Sequence, residues 1–224
     1  ENFAEKVTVN NSASTKQKKN AGNYFDSFLG FNLNYDKRNQ KFATTSGFFS
    51  NYSIDLPLYS ETGTLKNTYN FKFFSELYEN NVSTASVLIQ SASSITGDDV
   101  KLSERLFIPG NRLRGFERGK LGPKDGSDFI GGNYLTAINF TSTIPKLLEN
   151  AQNMDFVAFV DAASIWGVDY DSTIDENNDV RSSVGIGLNW TTPIGPLSFS
   201  YAEPITKNSS DIIEKFRFNL GTTF

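Results

Sequence analysis

The side chains best suited to chemistry in this chain crowd into one stretch, 105–124, which holds four arginines, two lysines and four glycines. The arginines are Arg105, Arg112, Arg114 and Arg118; Gly110, Gly115, Gly119 and Gly122 permit tight turns and close backbone approach between them. The chain as a whole is acidic, with 21 Lys+Arg against 25 Asp+Glu and a net charge of -4. An arginine withdrawn from bulk water needs a carboxylate partner, because an unpaired buried charge is expensive. Asp161, within Phe159-Val160-Asp161-Ala162, is the candidate, since its neighbours are apolar. A second charged stretch, 167–181, carries Asp169, Asp171, Asp175, Glu176 and Asp179. A calcium-binding helix–loop–helix needs glycine at its sixth position and glutamate at its twelfth, and Ile174 and Val180 stand there. A solvated surface loop is expected, and no metal site.

With no cysteine and no histidine, disulfides, thiol nucleophiles, imidazole bases and histidine-ligated metals are all excluded. No close carboxylate pair suggests a catalytic dyad, so no catalytic residue is assigned and the protein is expected not to be an enzyme. The acidic balance argues against nucleic acid as a partner.

The elements that must position these residues read as strands. Apolar and polar residues alternate with period two along most of the chain. Leu29, Phe31, Leu33 and Tyr35 alternate with Gly30, Asn32 and Asn34; Val184, Ile186, Leu188 and Trp190 with Ser183, Gly185, Gly187 and Asn189; Phe216, Phe218, Leu220, Thr222 and Phe224 with Arg217, Asn219, Gly221 and Thr223. Strands are predicted near 25–36, 46–57, 67–78, 82–94, 132–144, 154–166, 182–193, 196–205 and 215–224, with a weaker one near 4–10. The sole hint of a helix is 146–150. Aromatic residues make 14% of the chain, twenty of them phenylalanine, yet the mean hydropathy is -0.37. Two architectures have such alternation: a soluble sandwich, and a membrane β-barrel whose apolar face meets lipid. Three features favour the barrel. The polar faces are rich in Gly, Ser and Asn, aromatics lie near strand ends, and short links such as 192–196 alternate with long ones at 97–131 and 167–181. The Glu1-Asn2-Phe3-Ala4 start has no basic-then-apolar leader, as expected of a mature protein or a piece of a longer one.

Leu113-Arg114-Gly115-Phe116 resembles the (Val/Ile/Leu)-Arg-Gly-(Phe/Tyr) motif of the BamA family, which inserts β-barrel proteins into outer membranes. Gly122-Pro123-Lys124, Gly131-Gly132-Asn133, Phe159-Val160-Asp161-Ala162-Ala163-Ser164-Ile165-Trp166 and the hairpin around Pro193-Ile194-Gly195-Pro196-Leu197 follow in the family's order, and the chain closes on the aromatic Phe224. The resemblance covers residues 25–224. It departs from the family at Ala163, where a glycine is usual.

The resemblance implies an all-β, antiparallel transmembrane β-barrel in the bacterial cell outer membrane. Residues 1–224 would be the C-terminal portion of a barrel of roughly sixteen strands, without the family's periplasmic repeat domains. Such a piece is expected either as an open sheet or as a smaller closed barrel. The loop at 97–131 would enter the lumen, Arg114 pairing with Asp161, Gly115 serving geometry and Phe116 anchoring by packing. Phe216, Phe218, Leu220 and Phe224 would form the C-terminal strand signal. The first and last strands of the full barrel would meet at a seam that opens toward lipid and templates substrate strands. Implied partners are unfolded outer-membrane barrel proteins, accessory assembly lipoproteins and the lipid bilayer, with no cofactor. Two alternatives share the architecture: a two-partner secretion pore, which has the same loop motif, and a passive porin with 97–131 as its constriction.

Overall fold

The computed structural model describes residues 2–11, 13–14, 17–18, 20–60, 62–97, 99–145, 153–171, 174, 178–192 and 195–220. Alternation of apolar and polar side chains gives each strand two unlike faces, and pairing follows chain order. The strands are β1 (Asn2–Val7), β2 (Gly22–Asp36), β3 (Gly47–Tyr59), β4 (Thr64–Ser75), β5 (Ser83–Ser94), β6 (Gly115–Phe116), β7 (Lys124–Asp125), β8 (Asp128–Phe129), β9 (Tyr134–Ile144), β10 (Met154–Trp166), β11 (Arg181–Thr192), β12 (Gly195–Thr206), β13 (Ile213–Glu214) and β14 (Phe216–Leu220). Ten of them form one antiparallel sheet in the order β1-β2-β3-β4-β5-β9-β10-β11-β12-β14. No pairing joins β1 to β14 among the described residues, so the open sheet is found rather than a smaller closed barrel.

The expected strands are present, with differences at their ends. The weak N-terminal strand lies at Asn2–Val7 rather than 4–10, and pairs with β2 from Asn2↔Ser27 to Val7↔Gly22. Three expectations fall outside the described residues: the helical turn at 146–150, the tip of the link at 193–194, and Phe224 with the rest of 221–224.

Register aligns the apolar phase of each strand into one continuous face. A single row runs Ala85–Phe140–Val160–Val184 across β5, β9, β10 and β11. Phe31, Tyr52, Tyr69, Ile89, Ile138, Phe140, Val160, Ile186, Tyr201, Phe216, Phe218 and Leu220 are all exposed there. An apolar surface spread across a ten-stranded sheet far exceeds the few hundred Å² soluble monomers usually leave open. The opposite face is covered over β5, β9 and β10, while its polar residues on β2, such as Asn32 and Asn34, stay exposed. The long connection between β5 and β9 folds back over it, and Ile108, Leu113, Phe116 and Leu121 pack against Leu88, Leu135, Ala137, Ala163 and Ile165 as one core. Far from structureless, this connection holds a 3-10 turn at Leu102–Glu104, the β7–β8 hairpin and β6.

Candidate functional site

The row one step inward from the exposed one carries polar groups. Pairing places Lys72, Ser86, Asn139, Asp161 and Ser183 side by side across β4, β5, β9, β10 and β11. The motif of the 97–131 segment sits on this row.

Arg114 lies against Asp161 with its Nε 2.7 Å from Oδ2 and its Nη2 2.7 Å from Oδ1, and its backbone N–H also donates to Oδ2 at 3.1 Å. The Asn139 amide donates to Asp161 Oδ1 at 2.9 Å and to the Arg112 carbonyl at 2.7 Å. Ser183 Oγ donates to the Arg114 carbonyl at 2.6 Å. The guanidinium stacks 3.3 Å from the centroid of the Phe159 ring. The two ion-pair side chains are 2% and 0% exposed. A forked pair with every carboxylate oxygen engaged is the geometry in which a buried ion pair repays its desolvation.

The neighbouring motif residues hold this in place. Leu113 and Phe116 are each 1% exposed and sit in the core under the segment; burying each contributes about 1.5–3 kcal/mol. Gly115 has φ +92°, and a Cβ there would stand 3.2 Å from that of Ala202. Only glycine enters that conformation readily. Gly115 and Phe116 form β6, which pairs with β13 as Glu214↔Gly115 and Ile213↔Phe116. Of the C-terminal strand set, Phe216, Phe218 and Leu220 lie on β14 facing outward, exposed, on the face opposite Arg114.

Sequence reasoning missed several partners. Arg112 donates to Ser86 Oγ at 2.8 Å, Asn139 Oδ1 at 3.2 Å and Asn70 Oδ1 at 2.9 Å. Asn139 was visible as a polar residue in phase with Leu135 and Ala137, but only the register tells that it stands beside Asp161.

Two further anchors hold the base of the segment. Lys101, 1% exposed, donates to Asp26 at 2.5 Å and pairs with Glu5 at 3.3 Å. Burial alone would lower its pKa; the hydrogen bond to Asp26, the charges of Glu104 and Asp26 and the hydrogen bond to Glu5 outweigh this and raise it above the ordinary lysine value. Arg105 pairs with Asp169, lies 4.9 Å from the Tyr170 ring centroid and donates to Asn133 Oδ1 at 3.1 Å. The 167–181 stretch is therefore not simply a solvated loop, since Asp169 also accepts the Val100 N–H at 2.8 Å.

Burial pushes the Asp169 carboxyl up, but the Val100 N–H, Arg105 and Asn133 outweigh it and hold its pKa below the usual value. A depressed carboxylate stabilises the fold above its unfolded pKa, and that contribution is lost as pH falls through the folded one. Acidification below about pH 4 should loosen the segment's base. Protease cleavage within 97–131 should rise there in the unmodified protein, whereas Asp169→Asn should already be cleaved faster at neutral pH and respond less to acid. A cleavage profile identical for both proteins would exclude this anchor.

An antiparallel sheet apolar over one whole face, with a buried ion pair and a folded segment on the other, defines the wall of a transmembrane β-barrel. The chain belongs to the Omp85 superfamily, whose domain model matches residues 1–224. It is similar to the crystal structure of BamA from Haemophilus ducreyi lacking POTRA domains 1–3, with a TM-score of 0.78 and 32% identity, over 88% of this chain and 42% of that one. The outer membrane protein assembly factor BamA of Neisseria meningitidis serogroup B is 32% identical over 139 residues, covering 50% of this chain and 17% of that protein. The sorting assembly machinery 50 kDa subunit of Saccharomyces cerevisiae is 25% identical over 220 residues, covering 91% of this chain and 44% of that protein. The chain thus spans less than half the length of each of these relatives.

Proposed function

We propose that this chain is part of the barrel wall of a bacterial outer-membrane assembly factor, and that the whole protein inserts other β-barrel proteins into that membrane. The observation that carries the reading is the seat of Arg114. An arginine from a long segment, forked onto Asp161 and boxed by Asn139, Ser183 and Phe159, fixes that segment at one place on the wall and suits a part whose position matters. The names of the BamA and Sam50-type relatives support the same activity.

The covered face lines the lumen and the open apolar face meets lipid. β14 has one edge paired to β12 and the other free among the described residues. An unpaired edge presents a row of backbone donors and acceptors, and an incoming strand can add to it by main-chain hydrogen bonds alone. No covalent chemistry is required, so the activity is non-enzymatic. The clients are unfolded outer-membrane barrel proteins, helped by accessory lipoproteins, and a seam beside β14 opens laterally to admit them.

Reconstitution of the full-length parent protein into liposomes tests this. An unfolded outer-membrane barrel protein added outside should fold at least about tenfold faster than into empty liposomes, followed by its heat-modifiable gel migration. Equal rates in the two preparations would remove the assembly reading. A steady single-channel conductance with no gain in folding would replace it with a passive pore.

A further inference from the structure

Arg217 is the inward-facing charge of β14, with its side chain 11% exposed. It donates from Nη1 to the Gly110 carbonyl at 2.6 Å and from Nη2 to the Phe116 carbonyl at 2.5 Å. Its Nε and Nη2 also reach Glu214 Oε2, at 3.0 and 2.5 Å. Two of these acceptors belong to the 97–131 segment, 107 and 101 residues away in sequence.

Gly110 gives an independent sign of the same contact. It is absent from the positive-φ glycines, so its backbone does not demand glycine. A Cβ there would stand 2.7 Å from Arg217 Nη1. The missing side chain is the space the guanidinium occupies. The chain just before β14 is tied to the segment as well. β13 pairs with β6, the Glu117 N–H donates to the Ile212 carbonyl at 2.8 Å, and the Ile212 N–H donates to that of Lys120 at 3.0 Å.

Among the described residues β14 pairs with β12 over five positions, Leu197↔Leu220 to Tyr201↔Phe216. Its other edge is unpaired among the described residues.

We propose that Arg217 is the positioning residue through which the 97–131 segment holds β14 in the sheet, so that seating of the segment and pairing of the edge strand form one coupled state. Its significance rests on the assembly reading, because β14 is the edge offered to an incoming strand. Its geometry does not depend on that reading.

The test is hydrogen–deuterium exchange on the full-length parent protein in a bilayer, with no client present. Arg217→Gln removes the fork. Gly110→Ala leaves the arginine intact and displaces it with one methyl group. Both should raise exchange at 216–220 by at least about tenfold while leaving β10 and β11 unchanged. Arg217→Lys, which keeps the charge without the fork, should restore part of the protection. Unchanged exchange at 216–220 in both Gln and Ala variants overturns the proposal. So does a rise shared equally by β10, β11 and β14, which would mark Arg217 as a general stability residue. Because no client is used, a protein that assembles nothing can still pass this test, and only the assembly reading would then fall.

Discussion

Arg114→Ala in the intact protein should unseat the 97–131 segment and lower outer-membrane barrel assembly by about tenfold or more. Asp161 is 0% exposed and all its present donors are arranged around an arginine. Removing one member of a buried pair typically costs about 3–5 kcal/mol, because the other charge is left without compensation. That is more than about a hundredfold in the equilibrium between seated and unseated segment, since each 1.4 kcal/mol is roughly tenfold. The cost falls on docking before it falls on the sheet, whose ladder hydrogen bonds are untouched. Two measurements separate these levels. Protease cleavage within 97–131 should rise steeply, and the amounts of other barrel proteins in the outer membrane should fall. Exchanging the charges, as Arg114→Asp with Asp161→Arg, should restore part of the activity. Restoration should stay incomplete, because Asn139 and the backbone N–H of residue 114 both need an acceptor at position 161. Normal barrel levels in Arg114→Ala would show that the ion pair serves packing alone.

Gly185→Val should be the most damaging change to the sheet itself. A Cβ at Gly185 would stand 2.5 Å from Phe159 Cζ and 2.9 Å from Ala202 Cα, and would press on the Tyr201 carbonyl oxygen. Two of these three are backbone atoms of the neighbouring strand, which cannot turn aside as a side chain can. Overpacking of an ordinary core costs about 1–3 kcal/mol, and a clash with the ladder itself belongs at the top of that range or beyond. The ring that would have to move is the one under the Arg114 guanidinium, so the ion pair loses its platform too. Gly187→Ala is the milder comparison. There a Cβ would meet Val157 Cγ2 at 2.9 Å and the Phe199 carbonyl oxygen at 3.2 Å, a contact that a rotating valine relieves. Thermal unfolding of the two variants should rank them in that order. Equal melting temperatures would mean that the strands part at no cost and the glycine is dispensable.

The sheet was legible because its signal is local. Period-two alternation along β2, β9, β11 and β12 announces a strand whatever it pairs with, and the observed bounds differ from the expected ones by a few residues at the ends. β1 was faint because Asn2–Val7 mixes charged residues into both phases, and the pairing that settles it is tertiary. The contact of Arg114 with Asp161 was legible through motif order and the rule that buried charges need partners. The rest of the seat was not. Ser86, Asn139 and Ser183 are ordinary polar residues in their own strands, and they fall into one row with Asp161 only through register across four strands. Asp169 was read as solvated because five acidic residues crowd one loop, and nothing local reveals that Arg105 and the Val100 N–H reach it. Gly110 and Arg217 are 107 residues apart, beyond any local pattern.

The seat of Arg114 also ties the segment to the register of the sheet. β5 and β9 are neighbours in the sheet, so the segment leaves and rejoins it between two paired strands. Arg114, by contrast, reaches Asp161, 47 residues later, and Ser183, 69 residues later. The seat is therefore complete only when β9, β10 and β11 are in their shared register. A slip of one residue in β10 would turn Asp161 to the lipid side and carry Val160 inward. The guanidinium would then find no acceptor. The seat of the segment thus depends on the register of its own wall, complete over a correctly paired sheet and broken over one slipped by a residue.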